Sequence, residues 1–505
     1  MATSRTTELP RSWSVFDFGL HSLLAVSPFA LGLWMFSLAP LVGGNLFLAV
    51  LASGLVMLVG AIVVGSLAQR WPATGGDYVW QTRILGARVG SVVALASWWL
   101  VVTLLAPVYG NVILVQVVDP LVIRSGWDDL AAWFHGRDGV FTCSLIAIAV
   151  ASAFVGIGMR RAARVQIGLV VVGAAGLVAL FALLLSGSPG EFRDAFDDRS
   201  SALYATSPLA SSQIVEVGSL DARVTQLQPL ETLRLVPLVL LFSLWIGWAG
   251  PLTGEVRAKT PGAIRAALVR VAAASTLLSL LFFVAVGRGV TWDLWNEANN
   301  LYWGTVYGTT PATPLASWPN PVVFATWLTD SSFFQYATLL AMSAWVFGGM
   351  ATLFLPATRV LLAAGMDDVL PRRVARTSGD AVPLVALALL VIPACAFAAV
   401  DAYWSSFASW TAVGVVALAV TTAGSGVAAF VAFRPQQQRL AAVSGLFVML
   451  VALVIGVWLL DSAYGMRTLE AVVFLLVLYL VSGTLYVRTR KRDLEPLAPA
   501  HDVTT

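Results

Sequence analysis

Charged residues are spaced along this chain so that long uncharged intervals recur, each matching the length of a helix that crosses a bilayer. Residues 235–254 form one such interval of 20 residues between Arg234 and Glu255, and a helix needs about 20 apolar residues to span the hydrocarbon core. Residues 18–69 form another, of 52, with room for two helices joined by the turn Pro40-Leu41-Val42-Gly43-Gly44-Asn45. Further helices are predicted within 89–118, 140–159, 165–187, 271–287, 331–358, 381–400, 402–433, 440–460 and 471–487, which makes twelve crossings. Interval 298–329 is also uncharged, but its Asn and Thr residues and Pro311, Pro314, Pro319 and Pro321 predict an external loop. Composition agrees: 11% of residues are charged and 58% hydrophobic, where a soluble domain carries about a quarter charged. The expected class is an all-α integral membrane protein whose first partner is the lipid bilayer, with no nucleic-acid partner.

Basic residues gather on the cytoplasmic side of membrane proteins. With the N-terminus placed there, the cytoplasmic segments hold 22 of the 30 Lys+Arg, and the outer segments hold 17 of the 27 acids. The opposite orientation would reverse that bias. A multi-pass protein of the cell (cytoplasmic) membrane with both termini cytoplasmic is therefore expected. No cleavable signal peptide is expected, since the first apolar run belongs to a two-helix block. Residues 1–16 read as an N-terminal tail, 17–433 as a ten-helix core, 434–487 as helices eleven and twelve, and 488–505 as a C-terminal tail. Cys143 and Cys395 lie in separate apolar runs, and of the histidines only His21 is near one. No metal site, cofactor or catalytic residue is expected, because no paired carboxylates, His–Asp arrangement or nucleophile motif falls inside the spans.

Two of the predicted helices carry breakers in their middles. In the sixth, Trp245-Ile246-Gly247-Trp248-Ala249-Gly250-Pro251 combines two glycines with a proline that lacks a backbone donor. The first meets Ala25-Val26-Ser27-Pro28-Phe29-Ala30, where Pro28 leaves a carbonyl one turn back without its usual partner. In hydrocarbon, freed backbone groups persist only where protein or a water-lined cavity satisfies them. A lone break is more simply a packing kink. Two breaks five helices apart fit an inverted repeat of five plus five, in which the broken helices face each other near mid-membrane. Helices eleven and twelve fall outside that repeat.

Three tracts bear on identity. Pro72 to Gly86 reads P-x-T-G-G-D-Y-x-W-x-x-R-x-x-G and resembles the loop between helices two and three of the amino acid–polyamine–organocation (APC) superfamily of permeases. Trp245-Ile246-Gly247-Trp248 followed by Lys259-Thr260-Pro261 is similar to that family's aromatic-x-G…K-N-P segment. Arg359 to Pro371 resembles its R-x3-A-M-x-R-D-G-x-L-P, with Arg359, Ala363, Asp367, Leu370 and Pro371 in register, and Pro383 stands where the ninth helix opens. The resemblance covers about 15–435. It implies the five-plus-five inverted-repeat (LeuT-type) fold and secondary active transport of amino acids or related amines by alternating access. A substrate-sensing or channel-like protein reusing the fold is the alternative. The chain departs from the family in having Val26-Ser27-Pro28 where many members are glycine-rich, Ala249 where an acid or polar residue is common, and Glu255 one position early. It also lacks the fifth-helix lysine of some proton-coupled members; Gln166 is the strong polar group there.

On that resemblance the substrate contacts expected are backbone groups of Ala25, Val26, Ser27, Pro28 and Phe29 and of Leu244, Trp245, Ile246, Gly247 and Trp248. Ser27 adds a hydroxyl, and Trp245 and Trp248 add faces for a cation or a gate, unless they are packing tryptophans. Tyr109 and Asn111 on the third helix and Ser343 on the eighth are further candidates. Asn also fits an interhelical hydrogen bond, and Ser a close packing contact. His21 and Glu255 are candidates for coupling or gating, since ionisable groups inside a membrane point to function; Glu255 reads equally as an inner-gate ion pair with an arginine. The coupling ion, proton or sodium, and the oligomeric state stay open.

Overall fold

The computed structural model describes residues 9–204, 210–217, 227–306, 318–378, 381–404, 407–460 and 468–489. Among them, twelve helices are long and apolar enough to cross a membrane. Helices one to four are Val15–Val42, Leu46–Arg70, Ala87–Ser125 and Arg137–Gly156. Helices five to eight are Met159–Ser186, Pro229–Glu255, Ala263–Gly289 and Ser332–Met366. Helices nine to twelve are Leu384–Tyr403, Gly414–Phe433, Gln438–Leu459 and Ala471–Arg488. An even number of crossings leaves the beginning of helix one and the end of helix twelve on one side, called the terminal end below.

Helix five shows small residues at a helix seam and large aliphatic ones on the outer face. On helix five, Val171, Val172 and Val178 are exposed, while Gly173 and Gly176 meet helix eight. A Cβ added at Gly176 would lie 2.8 Å from the Met342 nitrogen. Where helices meet apolar surroundings, close van der Waals packing through small residues drives association. Trp345 Nε1 completes that seam by donating to the Gly173 carbonyl at 2.9 Å.

The uncharged stretch expected to be a loop is in good part helical. Trp292–Val306 forms a helix and Pro321–Thr326 a short one. Trp318 Nε1 donates to Asn299 Oδ1 at 3.1 Å, and Asn299 Nδ2 donates to the Trp295 carbonyl at 2.8 Å. Asn299 is thus buried and bonded within a helix, so tertiary partners override propensity. The prolines Pro311 and Pro314 lie outside the described residues. Helix three runs longer than its uncharged interval and carries two π-helical stretches, Ala96–Val101 and Leu114–Val118. Such bulges re-aim side chains inside a helix, and both flank Tyr109.

Two helices do not run through. Helix one is α-helical over Val15–Val26, turns at Ser27-Pro28-Phe29-Ala30 and resumes over Leu31–Ser37. Helix six is α-helical over Pro229–Ser243, tightens to a 3₁₀ turn over Leu244–Gly247 and ends as a second over Gly250–Glu255. The first half of helix one packs directly on the Leu244–Gly247 turn.

Candidate functional site

The break in helix one is set by two adjacent residues. Pro28 has no N–H to give, and Ser27 takes the left-handed conformation with φ 48°, which costs an L-residue about 1–2 kcal/mol. The Ser27 carbonyl then accepts from Ala30 N at 3.2 Å and Gly32 N at 3.1 Å, closing the turn. The Ala30 carbonyl is held by Gln116 Nε2 at 2.8 Å, from the second π-helical stretch of helix three. Ser27 Oγ is buried with no hydrogen-bond partner among the described residues. Gly349 of helix eight lies over it: a Cβ there would sit 3.0 Å from Ser27 Oγ and 3.4 Å from Tyr109 Cε1. A hydroxyl, a phenol ring and a bare backbone position thus converge from helices one, three and eight.

Helix six contributes an aromatic cluster. Trp248 stacks on Trp98 of helix three with centroids 4.1 Å apart and meets Trp245 edge-on at 4.3 Å. Trp248 Nε1 donates to the Thr352 carbonyl of helix eight at 3.0 Å, fixing the ring. Trp98, Trp245 and Trp248 line a cavity of about 30 Å³ together with Asp77, Thr421 and Ser425. That volume holds about one or two waters. Burial pushes the Asp77 carboxyl up to about 7, while the hydrogen bond from Ser425 and the Trp98 side chain work in the other direction.

The terminal end below this cluster is closed. Trp13–Ser14 (β1) pairs in parallel with Val256–Arg257 (β2), in the register Trp13↔Val256 and Ser14↔Arg257. Trp13 Nε1 donates to the Met159 carbonyl at 2.7 Å, which draws in helix five. Arg359 donates to Glu255 through Nε at 2.8 Å and Nη2 at 3.1 Å, with the side chains 2% and 1% exposed. Such a bidentate pair matches the fork of the guanidinium to both carboxylate oxygens. Gly75 N donates to the Pro251 carbonyl at 2.9 Å, fastening the Gly-Gly turn to helix six.

The predicted residues are not all in one place. Ala25, Val26, Ser27, Pro28 and Phe29 lie at the helix-one break, and Phe29 packs on Trp345 at 5.5 Å and Phe282 at 6.1 Å. Leu244, Trp245, Gly247 and Trp248 line the cavity, whereas Ile246 faces helix two near Gly60. Tyr109 joins Ser27. Asn111 turns to helix nine and donates Nδ2 to Asp401 at 3.1 Å, the interhelical bond weighed above. Ser343 Oγ donates to the Leu340 carbonyl of its own helix at 2.6 Å. His21 is buried between Trp13 and Phe154, at centroid distances of 5.1 and 6.4 Å, with neither ring nitrogen bonded among the described residues. Gln166, the polar side chain next to it, donates instead to the Asp17 carbonyl at 2.7 Å. Glu255 takes the ion-pair arrangement, deeper in the protein than a surface gate.

Sequence reasoning missed Trp98, Gln116, Gly349 and the helix-ten hydroxyls of Thr421 and Ser425. Nothing distinguishes Trp98 among 19 tryptophans before helix three is folded against helix six. Arg359 did carry a signal, since an arginine at the end of an apolar run needs a partner. No group of three His, Cys, Asp or Glu able to hold a metal occurs among the described residues. A family model described as amino acid permease matches residues 18–492. A comparison with curated proteins finds no match.

Proposed function

The chain belongs to the amino acid permease family, part of the APC superfamily, and from that premise we propose that this membrane transporter is a secondary active carrier of amino acids or related amines working by alternating access. The observation that carries this reading is the contact between the two interrupted helices, with an unpartnered Ser27 hydroxyl on one and a tryptophan cluster on the other. Backbone at a break can bind the charged ends of a zwitterion without a charged side chain, N–H groups facing the carboxylate and carbonyls the ammonium. The aromatic faces of Trp245 and Trp248 would take the remainder. In this reading helices one to five and six to ten are the two halves of an inverted repeat, helices eleven and twelve are additions, and both tails are cytoplasmic. The terminal end is then the inner gate, held shut by the β1–β2 pair and the Glu255–Arg359 pair. Transport proceeds when that gate opens and the opposite end closes.

The test is thermal stabilisation of the purified protein by each of the common amino acids and small amines, followed by uptake of the stabilising compounds into proteoliposomes. Saturable uptake is expected, with Trp245→Ala and Ser27→Leu each lowering it about tenfold or more, as loss of about 1.4 kcal/mol of binding would. Unimpaired uptake in both variants would sink the site. Flux that never saturates would mark a channel instead.

A further inference from the structure

Asp77 is the one acid of the Gly-Gly turn, and its surroundings are unlike those of every other charged residue near it. Its Oδ1 accepts from Ser425 Oγ of helix ten at 2.8 Å, and Gln81 Nε2 donates to the same hydroxyl at 2.9 Å. Among the described residues no cation stands against it. On its own helix, Arg83 goes to Asp367 at 2.6 Å, and Tyr78 lies within the influence of that pair. The acid of the helix-six turn, Glu255, is taken by Arg359 of helix eight. Helix ten, Gly414–Phe433, holds no ionisable residue. Helix three presents Trp98, and the ionisable residues at or near its other positions are Arg88, Tyr109, Asp119 and Arg124, none of which acts on the carboxyl. Arg70 of helix two donates to Gln436 at 2.7 Å. Asp77 is 6% exposed, and it borders the small cavity that Trp98, Trp245 and Trp248 also line.

A carboxylate without a counter-charge is costly in such a place, and a carboxylic acid is not. We propose that Asp77 is a proton-binding site and that the proton is the ion this transporter couples to. The proposal rests on the transport reading above. A proton from solution adds to the carboxylate and gives the neutral acid, which keeps its hydrogen bond to Ser425 and sits without penalty under the closed tryptophan cluster. Loss of the proton restores a charge that only water entering the cavity can solvate, so the deprotonated form favours parting of helix six from the Gly-Gly turn. Proton release is thereby tied to opening of the terminal end. Among the described residues no other ionisable group borders the cavity, and burial pushes the Asp77 carboxyl up to about 7.

The experiment has two arms on the full-length protein. Infrared spectra over a pH series are expected to show a protonated carboxyl signal that disappears around neutrality, is missing in Asp77→Asn, and moves to higher pH in Ser425→Ala, which removes a hydrogen bond favouring the charged form. In proteoliposomes, an inward proton gradient is expected to drive uptake of a labelled amino acid mixture by the wild type, and Asp77→Asn is expected to lose that stimulation. A signal that persists in Asp77→Asn or stays put in Ser425→Ala overturns the site. Undiminished proton-driven uptake in Asp77→Asn, or uptake driven by a sodium gradient alone, overturns the coupling. The infrared arm needs no transport, so failure of the proton site and failure of the transport reading are separable. If Asp77→Asn does not fold, the shift in Ser425→Ala carries the first arm by itself.

Discussion

At the residue scale the chain keeps its costly groups where neighbours over-determine them. Glu255 and Arg359 are almost wholly buried, and taking two charges out of water is offset only by good geometry between them. Removing one partner leaves the other charge stranded. Glu255→Gln and Arg359→Met are each expected to lower stability by about 3–5 kcal/mol, read by thermal unfolding in detergent. The double replacement Glu255→Leu with Arg359→Met is expected to recover most of that loss; a double variant as unstable as the sum would show that the pair is worth more than its desolvation. Asp77 behaves differently. Its carboxyl is held above the ordinary value of 3.8, at about 7, so between those values the folded protein binds a proton that the unfolded chain has released. The stability this provides is full below the ordinary carboxylate range and is lost as pH rises towards neutrality. Asp77→Asn is therefore expected to melt higher than the wild type above neutral pH and to match it in acid. A constant offset at all pH values would contradict this.

At the scale of elements, close approach decides more than composition. The Gly75-Gly76 turn was readable as a sharp turn, but not that helix six would lie against it. Gly76, at φ 33°, faces the Gly250 backbone so closely that an added Cβ would clash. Gly76→Ala is expected to pry the turn from helix six and to abolish uptake with a drop in melting temperature. Gly86→Ala is the control: φ is 100° there with nothing within 4 Å, so only conformational strain of about 1–3 kcal/mol should appear. Equal damage in both would mean that backbone strain, not contact with helix six, sets the requirement. The breaks themselves were legible, because proline and glycine act locally. The helix Trp292–Val306 was not, because Asn299 is satisfied by Trp295 and Trp318, partners that no local pattern announces.

At the scale of the whole molecule, the terminal end is shut by a few contacts between segments far apart in the chain. Ser14 and Arg257 are direct partners across a parallel strand pair, and adjacent strands lie about 4.7–4.9 Å apart, within reach of a disulfide. Cysteines at both positions are expected to crosslink on mild oxidation and to block uptake, with reductant restoring it. Uptake that continues in the crosslinked protein would show that this end need not open.

Twelve crossings and two interrupted helices were fixed by the sequence alone, because hydrocarbon tolerates few charges and a missing backbone donor cannot be hidden. Arg359 could be suspected from its place in an apolar run. Its partner Glu255, the stack of Trp98 on Trp248 and the absence of a cation beside Asp77 among the described residues were decided only by tertiary structure. Those properties belong to pairs of residues brought together across the bundle, and a one-dimensional pattern records each residue's own chemistry without recording what will lie against it.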